Sequence, residues 1–142
     1  MPGRTNNGLE ITFDVVEWGW VGISKAINPE ILPMLPRIER LGFFYVGSGA
    51  PNTIEFKLVY QPDSEGESAI FSVLWPGATV ADGWTFLEIP VSALACWADT
   101  GCQPDEEIDL ERVWKIDFAI SNKEGDTPGS GTVILDEIQG IR

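Results

Sequence analysis

Apolar and polar residues alternate along much of the chain, and this alternation predicts β-strands. In GLEITFDVV (residues 8–16) apolar side chains at positions 9, 11, 13 and 15 alternate with polar ones at 10, 12 and 14. TIEFKLVYQ (residues 53–61) repeats the pattern. A period of two places every second side chain on the same face of a strand, so each segment is expected to bury one face.

Two turn motifs predict hairpins. EWGW (residues 17–20) offers a glycine for a tight turn between the first strand and a second one in WVGISKAI. The polar run PDSEGES (residues 62–68) is expected to join TIEFKLVYQ to a hairpin partner, SAIFSVLW.

A proline-rich segment separates the early strands from the later ones. NPEILPMLPR carries three prolines within eight residues, which favours a loop that crosses between sheets rather than a helix. No segment of convincing length has helical periodicity, and about eight short strands are expected in all. The remaining strands are predicted in RLGFFYVGSG, WTFLEIPVSAL, DLERVWKIDFAISNK and GTVILDEIQGI. This pattern is typical of an all-β sandwich or barrel.

The length and charge of the chain narrow its organisation and its partners. The 142 residues are expected to form a single domain, residues 1–142, large enough to bury a core. Nine lysines and arginines against 22 aspartates and glutamates give a formal net charge of −13. Such a charge repels phosphate backbones and anionic lipid surfaces, so neither nucleic acid nor a membrane is expected as a partner.

The absence of histidine removes several kinds of chemistry. Without an imidazole the chain has no base for a Ser-His or Cys-His nucleophile pair and no histidine ligand for zinc or iron. Carboxylate or lysine chemistry stays open. Paired carboxylates could make a small glycosidase, but no motif singles out one pair, so we expect no enzyme activity.

Both cysteines lie in CWADTGC, at positions 96 and 102. A C-x5-C pair without histidine or further cysteines does not complete a tetrahedral zinc site, and it is not the C-x-x-C of thioredoxin-like redox centres. A Cys96–Cys102 disulfide is the favoured interpretation, and two free thiols are the alternative. A disulfide would indicate a secreted or cell-surface protein. Because MPGRTNNGLEI lacks the apolar stretch of a signal peptide, the chain is then expected to be a mature fragment or module.

Three segments in order resemble a known family. They are WTFLEIPVSAL, then IDLERVWKIDFAI, then GSGTVILDEIQGI. Together they resemble the galactose-binding-like β-jelly-roll, and more narrowly the carbohydrate-binding modules of the family 11 type and the related CIA30-like domains. The resemblance implies a β-sandwich jelly roll. It also implies an additional acidic first strand upstream of the Leu-rich one, so either this chain is truncated or its sheet closes differently.

The resemblance directs attention to the six tryptophans, because indole faces pack against the C–H patches of sugar rings. Trp84 and Trp114 lie in strand-like contexts and are expected to be structural. Four others lie near turns or strand ends and are candidates for sugar contact: Trp18, Trp20, Trp75 and Trp97. Trp97 is favoured because a closed loop loses less entropy on presenting its ring.

Other candidates complete the predicted site. Tyr60 could line a groove, and Asp99 could accept hydrogen bonds from sugar hydroxyls. Asp136 shares parity with Ile134 and Ile138, where an unpaired buried carboxylate would be costly. The resemblance implies a structural calcium ion with Asp136 among its ligands, and the alternative is a carboxylate that caps backbone amides or pairs with a cation.

The resemblance implies a non-catalytic module that binds a β-glucan-type polysaccharide and holds an attached glycoside hydrolase near its substrate. The alternative is a structural or protein-interaction jelly-roll, as in the CIA30-like domains, which would use the same core without an exposed row of aromatic residues.

Overall fold

The computed structural model describes residues 8–142. Nine β-strands and three short 3-10 helices make up the regular structure of this part of the chain. The strands are β1 (Leu9–Val15), β2 (Trp20–Ala26), β3 (Arg40–Gly49), β4 (Thr53–Tyr60), β5 (Ile70–Trp75), β6 (Ala81–Pro90), β7 (Ala95–Cys96), β8 (Val113–Ser121) and β9 (Gly129–Ile141). The helices are Leu32–Arg37, Val91–Ala93 and Leu110–Arg112. None of them, within residues 8–142, is long and apolar enough to span a membrane.

The strands form two antiparallel sheets that face each other. One sheet has the strand order β1-β9-β3-β6, and the other has the order β2-β8-β4-β5-β7. The predicted all-β sandwich is therefore confirmed. The predicted hairpin of β4 and β5 is confirmed as well, with the polar turn between the two strands.

The core lies between the sheets and is rich in aromatic rings. Phe43 of the four-stranded sheet contacts Phe118 of the five-stranded sheet, with ring centroids 5.2 Å apart. Phe56, on the neighbouring strand, completes the cluster with its ring centroid 5.1 Å from that of Phe118. All three side chains are buried, and their burial stabilises the packing of one sheet on the other.

Two connections differ from expectation. The segment EWGW does not close a hairpin, because β1 pairs with β9 and β2 pairs with β8. Its turn, in which Gly19 N–H donates to the Val16 carbonyl at 2.8 Å, instead carries the chain from one sheet to the other. The proline-rich segment does cross between the sheets, as expected, but it contains the 3-10 helix Leu32–Arg37, which tolerates proline in its first turn.

Candidate functional site

A cavity of about 390 Å³ opens on the outer face of the five-stranded sheet. Its walls are the turn between β1 and β2 on one side and the loop after β7 on the other. Its floor is made by side chains of β4, by the end of β8 and by Lys123 just beyond it. Three of the six tryptophans contribute to this one cavity: Trp18, Trp20 and Trp97.

Strand register explains why the floor residues lie together. Trp20 on β2 pairs with Ser121 on β8, which pairs in turn with Thr53 on β4. Side chains two positions apart on a strand share a face, so Glu55 and Lys57 follow Thr53 along the same outer face. The opposite face carries the buried Phe56 and Phe118 and belongs to the core.

The turn between β1 and β2 presents two indole rings to solvent. Trp18 is 65% exposed and Trp20 is 73% exposed. The backbone of Trp18 has a positive φ of 63°, a conformation that bulky residues rarely adopt. Gly19 separates the two tryptophans and closes the turn through its bond to Val16. The turn thus places two flat apolar surfaces at the mouth of the cavity.

The loop opposite is held by a disulfide and by hydrogen bonds. Cys96 and Cys102 are disulfide-bonded, with their Cα atoms 5.9 Å apart, so the predicted pairing is confirmed. Trp97 N–H donates to the Ile70 carbonyl at 2.8 Å. The Thr100 hydroxyl donates to the Trp97 carbonyl at 2.8 Å and accepts from the Ile70 N–H at 3.2 Å. Backbone and covalent bonds together fix where the Trp97 indole lies.

A charged cluster forms the floor. Glu55 is only 2% exposed, yet its carboxylate has three partners. Lys123 Nζ lies 2.9 Å from Oε1, Lys57 Nζ lies 3.0 Å from Oε2, and the Ser121 hydroxyl donates to Oε1 at 2.9 Å. A buried carboxylate is tolerated in such a setting because its hydrogen-bonding capacity is met.

The same two ammonium groups also lie over the Trp97 ring. Lys57 Nζ is 4.1 Å from the ring centroid and Lys123 Nζ is 5.6 Å from it. These distances are within the range of cation–π attraction. One face of Trp97 is therefore turned toward the two lysines, which makes this indole a fixed wall of the cavity and leaves the freer faces to Trp18 and Trp20.

Burial and hydrogen bonding act on the pKa of Glu55 in opposite directions. Burial is the largest single influence and would raise the pKa, but the hydrogen bonds from Lys123, Lys57 and Ser121 together outweigh it, so the pKa of Glu55 lies below its ordinary value. Glu55 therefore stabilises the fold at pH values above the unfolded pKa of about 4.3, and this stabilisation disappears as the pH falls through the lower folded pKa.

This pKa predicts how stability depends on pH. Between pH 7 and pH 3, we expect the free energy of unfolding of the wild type to fall more steeply than that of Glu55→Gln, because only the wild type has this carboxylate to protonate. Urea denaturation at a series of pH values measures both. The gap between the two proteins should narrow below about pH 4. A gap of constant size down to pH 3 would contradict the assigned pKa direction.

The cavity brings together four of the predicted ligand contacts. Trp18, Trp20, Trp97 and Asp99 all line it. The other two candidates lie elsewhere. Tyr60 is 1% exposed, its ring contacts Phe71 in the core, and its hydroxyl accepts from Asp109 N–H at 2.6 Å. The prediction that Tyr60 lines a groove is therefore wrong, because its apolar neighbours on β4 draw it between the sheets.

Trp75 is likewise not part of the cavity. It is half-buried, and its ring packs edge-on against Phe43 with the centroids 5.6 Å apart. Its position at the end of β5 suggested exposure, but the ring turns toward the core. Trp114, expected to be structural, donates its indole N–H to the Tyr60 carbonyl at 3.0 Å. Trp84 differs from the expected core position, because it is 37% exposed.

Asp136 does not lie in a buried position. It pairs with Phe44, where β9 contains a bulge, and its face of the strand is the outer one, since the neighbouring Leu135 is buried instead. The Asp136 Oδ1 atom accepts from the Glu137 N–H at 2.8 Å, which matches the backbone-capping alternative.

Within residues 8–142 no group of three or more acidic or cysteine side chains is arranged to hold a metal ion. Calcium also binds carbonyl and water oxygens, so calcium at Asp136 stays a prediction. The additional first strand that the resemblance implies would lie before residue 8, outside the described residues.

The floor of the cavity was not predicted from the sequence. Glu55 and Lys57 were assigned only to the polar side of an alternating strand. Their i, i+2 spacing of opposite charges on one strand was an available signal, because it puts both groups on one face. Nothing local indicated that Ser121 and Lys123, from the far end of the chain, would join them.

Comparisons with known proteins bear on the fold. No protein-family model matches the sequence, and no curated protein does either. Among solved structures, a family 11 carbohydrate-binding module from Clostridium thermocellum, in complex with a β-1,3-1,4-mixed-linked tetrasaccharide, superposes with a TM-score of 0.69 at 20% identity. The match covers 97% of this chain and 77% of the other.

Two further solved structures have a similar fold. The family 11 module of a cellulosomal cellulase of Clostridium thermocellum superposes with a TM-score of 0.67 at 19% identity, over 99% of this chain and 79% of that one. A family 30 carbohydrate-binding module gives a TM-score of 0.65 at 15% identity, over 97% and 77% of the two chains. The chain therefore has the β-sandwich jelly-roll fold of the family 11 carbohydrate-binding modules.

Proposed function

We propose that this protein is a non-catalytic carbohydrate-binding module that binds a β-glucan-type polysaccharide in the cavity on its five-stranded sheet. The observation that carries the proposal is the pair of exposed indoles, Trp18 and Trp20, over a charged, hydrogen-bonding floor. In this proposal the module is secreted or displayed at the cell surface and is attached to a glycoside hydrolase.

The indoles account for the apolar part of sugar recognition. Two neighbouring tryptophans that are more than half exposed keep a large apolar area in water, and such a patch commonly marks a binding surface. The faces of a β-linked glucose ring carry axial C–H groups, which pack on an indole while the equatorial hydroxyls point sideways. Binding then removes apolar surface of both partners from water.

The floor accounts for the polar part. Each ammonium group has three donors, and Lys57 and Lys123 do not use all of them on Glu55. Asp99, exposed at the rim with a φ of 63°, provides a carboxylate that accepts from hydroxyl groups. Sugar hydroxyls both donate and accept hydrogen bonds, so they can donate to the Asp99 carboxylate at the rim and accept from the lysines of the floor. Because one partner is charged in each case, these hydrogen bonds are stronger than neutral ones.

The expected affinity is moderate. Two stacked aromatic contacts of about 1 kcal/mol each and a few hydrogen bonds of about 1 kcal/mol net fit the range from millimolar to micromolar, about −4 to −8 kcal/mol. An open cavity is sufficient for such binding.

The comparisons support the choice of ligand class. One similar structure was solved with a β-1,3-1,4-mixed-linked tetrasaccharide, and another belongs to a cellulosomal cellulase. These two proteins, at about 20% identity to this chain, support the proposal of a β-glucan ligand and of an attached enzyme.

Affinity electrophoresis on soluble β-glucan, xylan and mannan tests the proposal. We expect β-glucan to retard the wild type and Trp20→Ala to bind about tenfold more weakly, because a stacked ring is lost. Trp84→Ala is the matched control: it removes another exposed tryptophan, on the four-stranded sheet, and should bind like the wild type.

Two outcomes would contradict the proposal. If none of the polysaccharides retards the wild type, the structural or protein-interaction alternative is favoured. If reducing sugar is released and one carboxylate substitution abolishes the release, the protein is an enzyme.

A further inference from the structure

The backbone of Trp18 needs an external restraint. Its φ of 63° lies in the left-handed region, which costs a bulky residue about 1 kcal/mol or more and persists where surrounding structure enforces it. The indole itself is mostly in solvent, so its own packing supplies little of that restraint. The turn must therefore be held by hydrogen bonds to its backbone.

Asn122, the residue after β8, provides two of these bonds. Its side-chain Oδ1 accepts from the Trp18 N–H at 3.2 Å, and its backbone N–H donates to the Gly19 carbonyl at 2.9 Å. Asn122 is 3% exposed, so water does not readily replace it as the partner of the turn. It reaches the cavity only through these contacts and does not line it.

A second buried amide fixes the orientation of Asn122. The Asn122 Nδ2 donates to Asn52 Oδ1 at 2.9 Å, which leaves the Asn122 oxygen to face Trp18. Asn52 is fully buried and donates in turn to the carbonyls of Ala50 at 3.1 Å and Thr127 at 3.0 Å. The buried amides thus link the turn after β1 to the connections after β3 and β8, and every member has partners.

We propose that Asn122 is a positioning residue for carbohydrate recognition: through its amide it holds the turn that presents Trp18 to the ligand. The inference rests on the proposed function and adds a residue that does not touch the sugar. It predicts that the effect of Asn122 on affinity passes through the Trp18 ring.

A double-mutant cycle with mixed-linkage β-glucan as the probe tests this route. We expect Trp18→Ala and Asn122→Ala each to lower affinity about five- to tenfold. The double variant should bind no more weakly than Trp18→Ala alone, because Asn122 then has no Trp18 ring to position, while Trp20 is held by its pairing with Ser121. Asn28→Ala is the matched control, since the Asn28 side chain also accepts a backbone N–H, that of Glu30 at 3.0 Å, and it does not line the cavity.

Amide hydrogen exchange gives a readout that does not depend on the sugar. Asn122→Ala should accelerate exchange at Trp18, while amides of the central strands β4 and β8 keep their protection. If Asn122→Ala folds too weakly to be measured, the wild type still tests the contact: its Trp18 amide should exchange slowly, and fast exchange there would overturn the positioning role.

The outcomes separate this inference from the proposed function. If the wild type does not bind the glucan, both fail. If Trp18→Ala lowers affinity but Asn122→Ala does not, or if the two effects multiply in the double variant, only the positioning role fails. Unchanged exchange at Trp18 in Asn122→Ala would also overturn it.

Discussion

Glu55→Ala is expected to destabilise the protein by about 3 kcal/mol, the largest effect of any single change at the site. The substitution leaves the Lys57 ammonium, whose side chain is largely buried, without its anionic partner, and the Ser121 hydroxyl without its acceptor. Lys123 is more exposed and can be rehydrated, which keeps the loss at the lower end of the range for a broken buried pair. Urea denaturation at pH 7 measures the loss.

Two comparisons make this prediction specific. Glu88→Ala breaks the Arg40–Glu88 ion pair, which lies on the surface, and should change stability little. Adding Lys57→Met to Glu55→Ala should recover part of the lost stability, because the largely buried Lys57 ammonium is then gone and only the more exposed Lys123 remains without its partner. If Glu55→Ala is no more harmful than Glu88→Ala, the charged cluster does not hold the floor together.

Local patterns predicted the strands of this protein better than their partners. The alternation in residues 8–16 and 53–61 placed β1 and β4 correctly, because it is a property of each segment alone. Only β1 buries a single face, however, since β4 also buries Thr53, Glu55 and Val59 on its other face. The pairing of β1 with β9 joins opposite ends of the described chain. No turn motif encodes such a pairing, so EWGW was assigned to a hairpin although it connects two sheets.

For the candidate site too, local features were predicted from the sequence and contacts between distant segments were not. Trp18 and Trp20, candidates for sugar contact because they lie at a predicted turn, are exposed. The exposure of Trp84 was not expected, because its strand-like context does not reveal which face of an outer strand meets solvent. The Glu55 cluster depends on residues from two distant segments meeting across a sheet, and this is a property of the topology rather than of local sequence.

The disulfide is expected to contribute both stability and affinity. On the chain-entropy account, closing a seven-residue loop stabilises the fold by about 2.4 kcal/mol. Replacing both cysteines by serine should therefore lower the Tm of a chain of this size by about 8 °C. Thermal unfolding of Cys96→Ser/Cys102→Ser measures this loss, and adding reductant to that variant should have no further effect.

Affinity should fall as well, because the loop between Cys96 and Cys102 carries the Trp97 wall and Asp99, which a freed loop would have to order again on binding. Thr100→Val separates the covalent from the hydrogen-bonding contribution: it removes the hydroxyl that bridges Trp97 and Ile70 but keeps the disulfide, and we expect a smaller loss of both Tm and glucan binding. Binding of β-glucan by Cys96→Ser/Cys102→Ser as tightly as by the wild type, together with a lower Tm, would show that the disulfide stabilises the fold without positioning Trp97. In that case the hydrogen bonds to Ile70 are sufficient to hold Trp97 against the two lysines.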